Sequence, residues 1–345
     1  MKIFIDHQLS YKGGIYIYFK ELFKKLKANN ISFHIDYYDS LYKQNGLQKN
    51  FFSIKKPRLF ERIRACKIND NHSYDIYHSS YYRVPSDTKI KVVTTVHDFT
   101  HEKYFSYFKK TIHHFFKMRA IKRADAIICV SETTKKDLMC FYRPKDSQII
   151  KTIHNGISED FYHITKSKLA YSYKNQILFV GSRATYKNWN LALKLISSLK
   201  DFRLVVVGGG EDKEIFYKNL PKSLHKIIDY KGFVTNAQLN ELYNNSFCLF
   251  YPSSYEGFGI PVIEAMAAGC PVIANENCKA IKEIGNNIPV FFDPAKDPHG
   301  ANAFKKLHVI REQLIEKGID HASSFSWENS HNSTVKLYEY LYNSG

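Results

Sequence analysis

Several common signatures are missing from this chain, and each absence removes a class of function. Its six cysteines (Cys66, Cys129, Cys140, Cys248, Cys270 and Cys278) form no C-x-x-C pair and follow no metal-ligand spacing. They read as reduced, mostly buried thiols rather than a zinc site, a redox centre or a disulfide framework. No apolar run approaches the roughly 20 residues that a membrane-spanning helix needs. The opening Met1-Lys2-Ile3-Phe4-Ile5-Asp6 lacks the long apolar core of a secretory signal and reads as a first buried strand, so a cytoplasmic protein is expected. No Ser–His–Asp order, Walker loop or compelling D-x-D motif is present. No internal repeat or low-complexity tract stands out either.

Acidic residues are also scarce, 33 against 50 Lys and Arg. The deficit is uneven: residues 1–150 hold 28 basic and 14 acidic side chains, and residues 151–345 hold 22 and 19. A basic first half calls for a polyanionic partner, either nucleic acid or an anionic membrane face, unless it is simply a solvated lysine-rich surface. Two segments bear on this. Residues 105–123 read as an amphipathic helix with Phe105, Phe108, Ile112, Phe115 and Phe116 on one broad face, and that face is expected to pack on the domain's own sheet. Residues 51–64 mix Phe51, Phe52 and Phe60 with Lys55, Lys56, Arg58, Arg62 and Arg64. For them, packing and a membrane interface remain equally open.

What is present is a repeated alternation of strands and helices. Short apolar runs at 3–5, 31–36, 76–78, 91–95, 126–130 and 149–153 read as parallel strands, with a helix at 15–26 and another begun by Ser131 as N-cap. The polar stretch near Thr165–Asn175 reads as a linker. The pattern then restarts, with strands at 176–181, 202–208, 227–230, 247–251, 271–274 and 290–292. Helices are expected at 189–199, 236–244, 301–318 and 328–343. Such β–α units predict parallel sheets with right-handed crossovers. The chain of 345 residues has room for two such domains, with a cleft between them at the carboxyl ends of the strands.

The most informative segment is Tyr255-Glu256-Gly257-Phe258-Gly259-Ile260-Pro261-Val262-Ile263-Glu264. Pro261 marks the start of a helix, where its missing N–H costs nothing, and Gly269 reads as the stop. Glu256 then lies in the loop before the helix and Glu264 in its first turns. Free N–H groups at such a start attract an anion, and the glycines allow close approach to the backbone. Two carboxylates placed this way can accept hydrogen bonds from two sets of sugar hydroxyls. An ordinary α/β turn with a helix-start glutamate would have the same composition.

The spelling E-G-F-G-x-P-x-x-E-A-M-A-x-G-x-P-V-I closely resembles the E-x(7)-E signature of the family 4 retaining glycosyltransferases, and other motifs extend the resemblance over nearly the whole chain. Phe179–Asn188 resembles the family's G-R-x(4)-K-[GN] loop after Gly181, with a departure: Ser182 stands where the family often has Arg, and Arg183 follows one position later. Lys187 and Asn188 keep their places. Arg183 and Lys187 are suited to a diphosphate, one as a planar fork and one as a point charge. Val96-His97-Asp98-Phe99 follows a strand where a ligand-facing residue sits, and it resembles the family's position for a His that contacts the donor sugar, with Glu102 nearby. Gly13-Gly14 lacks the third glycine of the dinucleotide fingerprint. It reads either as a plain βα turn or, by resemblance, as a loop beside donor phosphates or acceptor. Gly208 ends a strand resembling the V-x-G-x-G element, and Phe233 lies on a strand that flanks the base in relatives. Asn155-Gly156 resembles a turn near the cleft, and Phe325-Ser326-Trp327 the start of a helix that returns to the first domain.

The resemblance therefore implies the GT-B architecture, two doubly wound Rossmann-like domains facing across a cleft. It divides the chain into residues 1–165 on the acceptor side, 166–325 holding the donor, and 326–345 as the returning helix. The expected activity is a retaining hexosyltransferase that moves sugar from GDP-mannose or a UDP-hexose to a glycan hydroxyl. The acceptor would be lipid-linked, in bacterial O-antigen or capsule assembly, at the inner membrane face. Expected catalytic residues are His97, Glu256, Arg183 and Lys187. Gly13, Gly14, Gly181, Gly208, Phe233, Gly257, Phe258, Gly259, Ile260 and Glu264 are expected at the nucleotide sugar. No cofactor, metal or nucleic acid is called for. The alternatives are another sugar-nucleotide enzyme of this fold, such as an epimerase, and a basic nucleic-acid-binding protein.

Overall fold

The structure is a computed structural model that describes residues 1–7, 14–38, 52–55, 64–68, 73–79, 83–105, 107–164 and 175–344. These fall into two compact units. The first comprises Met1–Gly156 with Trp327–Gly345, and the second Ile157–Ser326. The division falls at Gly156, ahead of the expected boundary at 165/166, and most of the expected linker at 165–175 lies outside the described residues.

In the first unit the strands are β1 (Lys2–His7), β2 (Ser32–Tyr38), β3 (Phe52–Lys55), β4 (Ile76–Ser79), β5 (Lys91–Val96), β6 (Ala126–Cys129) and β7 (Ile149–Thr152). They form one sheet in the order β3-β2-β1-β4-β5-β6-β7, parallel throughout. Each central strand is covered on both faces, which is why it reads as a continuous apolar run rather than an alternation. Helix α1 (Gly14–Ala28) buries Tyr18, Phe19, Leu22, Phe23 and Leu26, a stripe at helical spacing. Helix α4 (Glu132–Phe141) is capped by Ser131, whose hydroxyl accepts from the Thr134 N–H at 2.9 Å. The last helix, α11 (Trp327–Asn343), packs on α1 and belongs to this unit: Trp327, Val335, Leu337, Tyr338 and Leu341 join the core around Tyr18 and Phe19.

The two segments singled out in the sequence both fall in this unit. Of the basic, aromatic segment 51–64, residues Phe52–Lys55 form the edge strand β3, paired with β2; apart from Arg64, the remainder lies outside the described residues. The amphipathic helix is α3 (Tyr107–Arg123), preceded by a short α2 (Thr100–Tyr104), and its orientation differs from expectation. Lys117, Met118, Ala120 and Ile121 are buried, while Phe105, Ile112 and Phe115 are 41%, 46% and 63% exposed. Lys117 turns inward because Glu102 and the Asp98 carbonyl accept from its ammonium, at 2.6 and 2.9 Å.

The second unit repeats the plan with β8 (Gln176–Val180), β9 (Arg203–Val207), β10 (Ile228–Gly232), β11 (Cys248–Tyr251), β12 (Val272–Asn275) and β13 (Val290–Phe292). Their order is β10-β9-β8-β11-β12-β13, all parallel. In both sheets the strand order reverses beside the first strand, which is the doubly wound arrangement, and ligands of such sheets bind outside the carboxyl ends at that reversal. Helices α5 (Trp189–Ser198), α6 (Lys213–Lys218), α7 (Asn236–Asn244), α8 (Ile260–Ala267), α9 (Lys279–Gly285) and α10 (Ala301–Ala322) cover the sheet. The three short helices α2, α6 and α9 were not anticipated, because five to seven residues leave no visible period. Helix α10 continues past the expected end at 318: Gly318 lies inside it, where a Cβ would stand 3.4 Å from Met266 of α8. That glycine serves a close helix–helix approach and not a stop.

Candidate functional site

The carboxyl edge of the second sheet is stitched together by backbone bonds. Gly181 N–H donates to the Val207 carbonyl at 2.9 Å, and Gly208 N–H to that of Gly232 at 2.7 Å. Gly208 has φ +94°, and a Cβ there would lie 3.2 Å from the Gly181 carbonyl oxygen. A side chain at Gly208 would crowd the end of β8, and its positive φ favours glycine as well.

The loop after β8 carries the expected cations. Lys187 donates to Glu256 Oε1 at 2.6 Å and to the Tyr251 hydroxyl at 3.3 Å. Two residues expected at the site, distant in sequence, thus meet at the reversal between β8 and β11. Burial alone would lower Lys187, but the Glu256 carboxylate, with Tyr251 and Tyr186, overrides it and holds the ammonium protonated well above its usual range. Asn188 has φ +51°, a conformation that glycine and asparagine tolerate best. Its amide donates to the Pro252 carbonyl at 2.8 Å and to Ser254 Oγ at 2.6 Å, while Ser254 N–H donates to the Tyr186 carbonyl at 2.8 Å. This clamp fixes the Lys187 loop to the Glu256 loop, and Asn275 of β12 adds a second donor to the Pro252 carbonyl at 3.1 Å.

Arg183 is placed differently from Lys187. Its guanidinium donates to the Gly208 carbonyl at 3.0 Å, pairs with Glu211 and packs over the rings of Phe216 and Tyr230. Gly209 lies beneath it, where any Cβ would collide with the guanidinium. Arg183 thus caps the glycine turn after β9, and its partners differ from those of Lys187. Phe233, 58% exposed, lies with its ring over Gly210.

Helix α8 begins at Ile260 with Gly259 as N-cap, so Pro261 is its second residue rather than its first. The second N–H is also one of the four that lack an intrahelical acceptor, so the proline still costs nothing. Gly259 has φ +103°, and a Cβ there would meet Ile281 of α9 at 2.2 Å. Gly257 is buried beside it and Ile260 half-buried. Phe258 is buried edge-to-face on Phe325, so its ring belongs to the packing. Glu264 is buried, and the Tyr243 hydroxyl of α7 donates to its Oε2 at 3.2 Å. Burial raises this carboxyl to about 7, opposed by that hydrogen bond.

In the first unit Gly14 opens α1, whereas Gly13 lies outside the described residues. His97 follows β5, edge-on to the Tyr18 ring at 5.3 Å, and its buried Nε2 has no hydrogen-bond partner among the described residues. Burial lowers it to about 4, with Lys117 acting in the same sense and Asp98 opposing. Glu102, expected near His97, pairs instead with Lys117, and His113 stands 3.5 Å from its other oxygen. Sequence reasoning missed Tyr243, Tyr251 and Glu211. Tyr251 and Glu211 lay in plain sight as a tyrosine closing an apolar strand and a carboxylate after a glycine run. Tyr243 carried no local signal.

Residues 13–161 match the family model described as Glycosyltransferase Family 4, and residues 161–313 the model described as Glycosyl transferases group 1. The O-antigen chain mannosyltransferase B of Escherichia coli is 27% identical over 309 residues, which is 82% of this chain and 78% of that protein. Among solved structures, the sucrose-phosphate synthase of Thermosynechococcus elongatus is similar with a TM-score of 0.79 at 18% identity, over 100% of both chains. Anabaena HepE in complex with UDP and glucose gives a TM-score of 0.75 at 15% identity, over 98% of this chain and 99% of that one. At these identities the structural likeness speaks for the fold.

Proposed function

Because the chain belongs to the family 4 glycosyltransferases, we propose that its second unit holds a nucleotide-sugar donor at the reversal between β8 and β11. The observation that carries this reading is the Lys187–Glu256 pair, 2.6 Å apart and clamped at the carboxyl edge just ahead of α8. Lys187 takes the diphosphate, the backbone of the Gly257–Ile260 turn that leads into α8 takes the remaining phosphate charge, and Arg183 acts from beside the glycine turn. Gly181 and Gly208 leave room for the nucleotide, and Phe233 lies against the base. Glu264 accepts from the ribose hydroxyls, while Glu256 orients the sugar.

The reaction is transfer of a hexosyl group to a glycan hydroxyl with retained configuration. The bond from the anomeric carbon to the diphosphate breaks, with its electron pair leaving on phosphate. The acceptor oxygen bonds to the same face, and its proton passes to the departing phosphate. His97, at the end of β5 in the first unit, is a further candidate hydrogen-bonding group, its Nε2 having no partner among the described residues. Lys187, Arg183 and the helix start neutralise the leaving group, so the reading calls for no divalent cation. The mannosyltransferase named for O-antigen chains supports GDP-mannose as donor and a surface polysaccharide as product. The neighbour holding UDP and glucose supports a UDP-hexose. An epimerase or a nucleic-acid-binding protein finds no counterpart among the relatives described above.

We assign the acceptor to the basic first unit. A lipid-linked glycan at the inner membrane face fits its charge and the exposed Phe115 and Ile112. No helix of the described residues is long and apolar enough to cross a membrane. Turnover of a panel of GDP- and UDP-hexoses, with a lipid-linked glycan as acceptor, tests the activity. Release of nucleoside diphosphate from one donor is expected; release from none, over hours at micromolar enzyme, overturns it.

A further inference from the structure

We propose that Tyr243 is a positioning residue for donor binding, whose hydroxyl orients the Glu264 carboxylate for the two ribose hydroxyls. The inference rests on the reading of Glu264 as the ribose ligand and adds a second residue that sets how well it works. Tyr243 is fully buried on α7, and its ring packs edge-to-face on Phe161 with centroids 6.0 Å apart. Helix α7 is itself fixed at its start by a reciprocal capping box between Thr235 and Gln238. The hydroxyl therefore has a defined position, and it spends its one proton on Glu264 Oε2 at 3.2 Å. A carboxylate has about four acceptor positions, so one donor from Tyr243 on Oε2 leaves acceptor capacity on each oxygen for the ribose pair.

The environment makes that single donor consequential. The groups facing α8 are mostly apolar: Ile281 from α9, and from α10 Gly318, which lies against Met266. The titratable neighbours are few. Tyr243 is raised well above its ordinary value by burial and by the Glu264 carboxylate, and burial pushes the Cys270 thiol up to about 12. His163 lies 3.5 Å from the Ala268 carbonyl at the end of α8, and His321 of α10 is bonded to the Ile284 carbonyl at 2.6 Å. Lys279 and Lys282 are carried on α9. Within this shell the Tyr243 hydroxyl is the donor that favours the ionised carboxylate over the protonated acid, and the ionised form accepts more strongly from both hydroxyls than the acid, which carries a donor proton of its own.

The test is Tyr243→Phe, which keeps the ring and its packing. Titration calorimetry with UDP, GDP and their 2′-deoxy counterparts at pH 6, 7, 8 and 9 measures affinity. For the preferred ribonucleotide, Tyr243→Phe should weaken binding about tenfold at pH 7. The loss should shrink toward pH 9, because the pH midpoint of affinity moves upward. Binding of the 2′-deoxy nucleotide should change much less. If wild type prefers the ribonucleotide but Tyr243→Phe leaves its pH midpoint unmoved, the proposal for Tyr243 fails while Glu264 keeps its role. If wild type is indifferent to the 2′-hydroxyl and Glu264→Gln binds as wild type does, the ribose reading itself fails and the proposal with it.

Discussion

Three histidines of the first unit sit where a charge cannot be accommodated. His78 is fully buried between the Tyr338 hydroxyl at 2.5 Å and Thr95 Oγ1 at 2.9 Å. His331 stacks on Trp327 with ring centroids 5.2 Å apart, and His97 lies edge-on to Tyr18. Burial lowers them to about 3, about 3 and about 4, respectively, from an ordinary 6.5. Well above pH 6.5 they are neutral whether the chain is folded or not. As pH falls below 6.5 the unfolded chain binds protons that the folded unit refuses, so stability is lost toward pH 4. For His78 and His331 this amounts to about 2 kcal/mol each at pH 5. Glu264, raised to about 7, acts in the opposite sense: below pH 7 its cost of burial is relieved. Urea unfolding followed by the fluorescence of Trp327, in a Trp189→Phe background, is expected to show a lower midpoint at pH 5 than at pH 7. An equal or higher midpoint at pH 5 would contradict the neutral burial of these rings.

At the scale of the element, α3 decides between a packed and a displayed surface. Its inward face is built on Lys117, Met118, Ala120 and Ile121, so Ile112 and Phe115 point outward among exposed Lys110 and Lys122. Aromatic side chains among lysines suit an anionic lipid surface. The double substitution Ile112→Ser, Phe115→Ser is expected to leave stability within about 0.5 kcal/mol. It should also weaken binding to phosphatidylglycerol vesicles severalfold. Unchanged vesicle binding would remove the membrane reading. The helix itself was legible from its period, but its facing was not. A buried Lys–Glu pair reverses the polarity that hydrophobicity suggests, and Glu102 and Lys117 are joined by geometry rather than by spacing. Every strand but β3 was legible as a short apolar run, because parallel sheets are covered on both faces; β3 lies in a basic segment at the sheet edge and was not. Helices of five to seven residues were not. The α8 start was visible from Gly259, Pro261 and Gly269, since each residue is there for a backbone reason that composition alone expresses.

For the whole molecule, two doubly wound units follow from the repeated β–α alternation, and both topologies reverse beside their first strand. The site was legible as separate motifs: Lys187, Glu256 and Glu264 could each be named from spelling. What could not be read was their partners. The Lys187–Glu256 contact joins residues 69 apart, and the Tyr243–Glu264 contact joins two helices 21 residues apart; neither separation has a sequence signal. Arg183 was named for the diphosphate, yet its partners are Gly208 and Glu211. The central claim is that the edge holding Lys187, Glu256 and Glu264 binds a nucleotide sugar. Its most direct test is the thermal shift of the wild-type protein and of Glu264→Ala and Lys187→Met with GDP-mannose and UDP-glucose. A ligand that binds only the folded state at 100 times its Kd stabilises by about 2.7 kcal/mol. One of the two donors is expected to raise the wild-type melting temperature, with the rise lost in both variants. No shift with either donor, or a shift that survives both substitutions, would contradict the account.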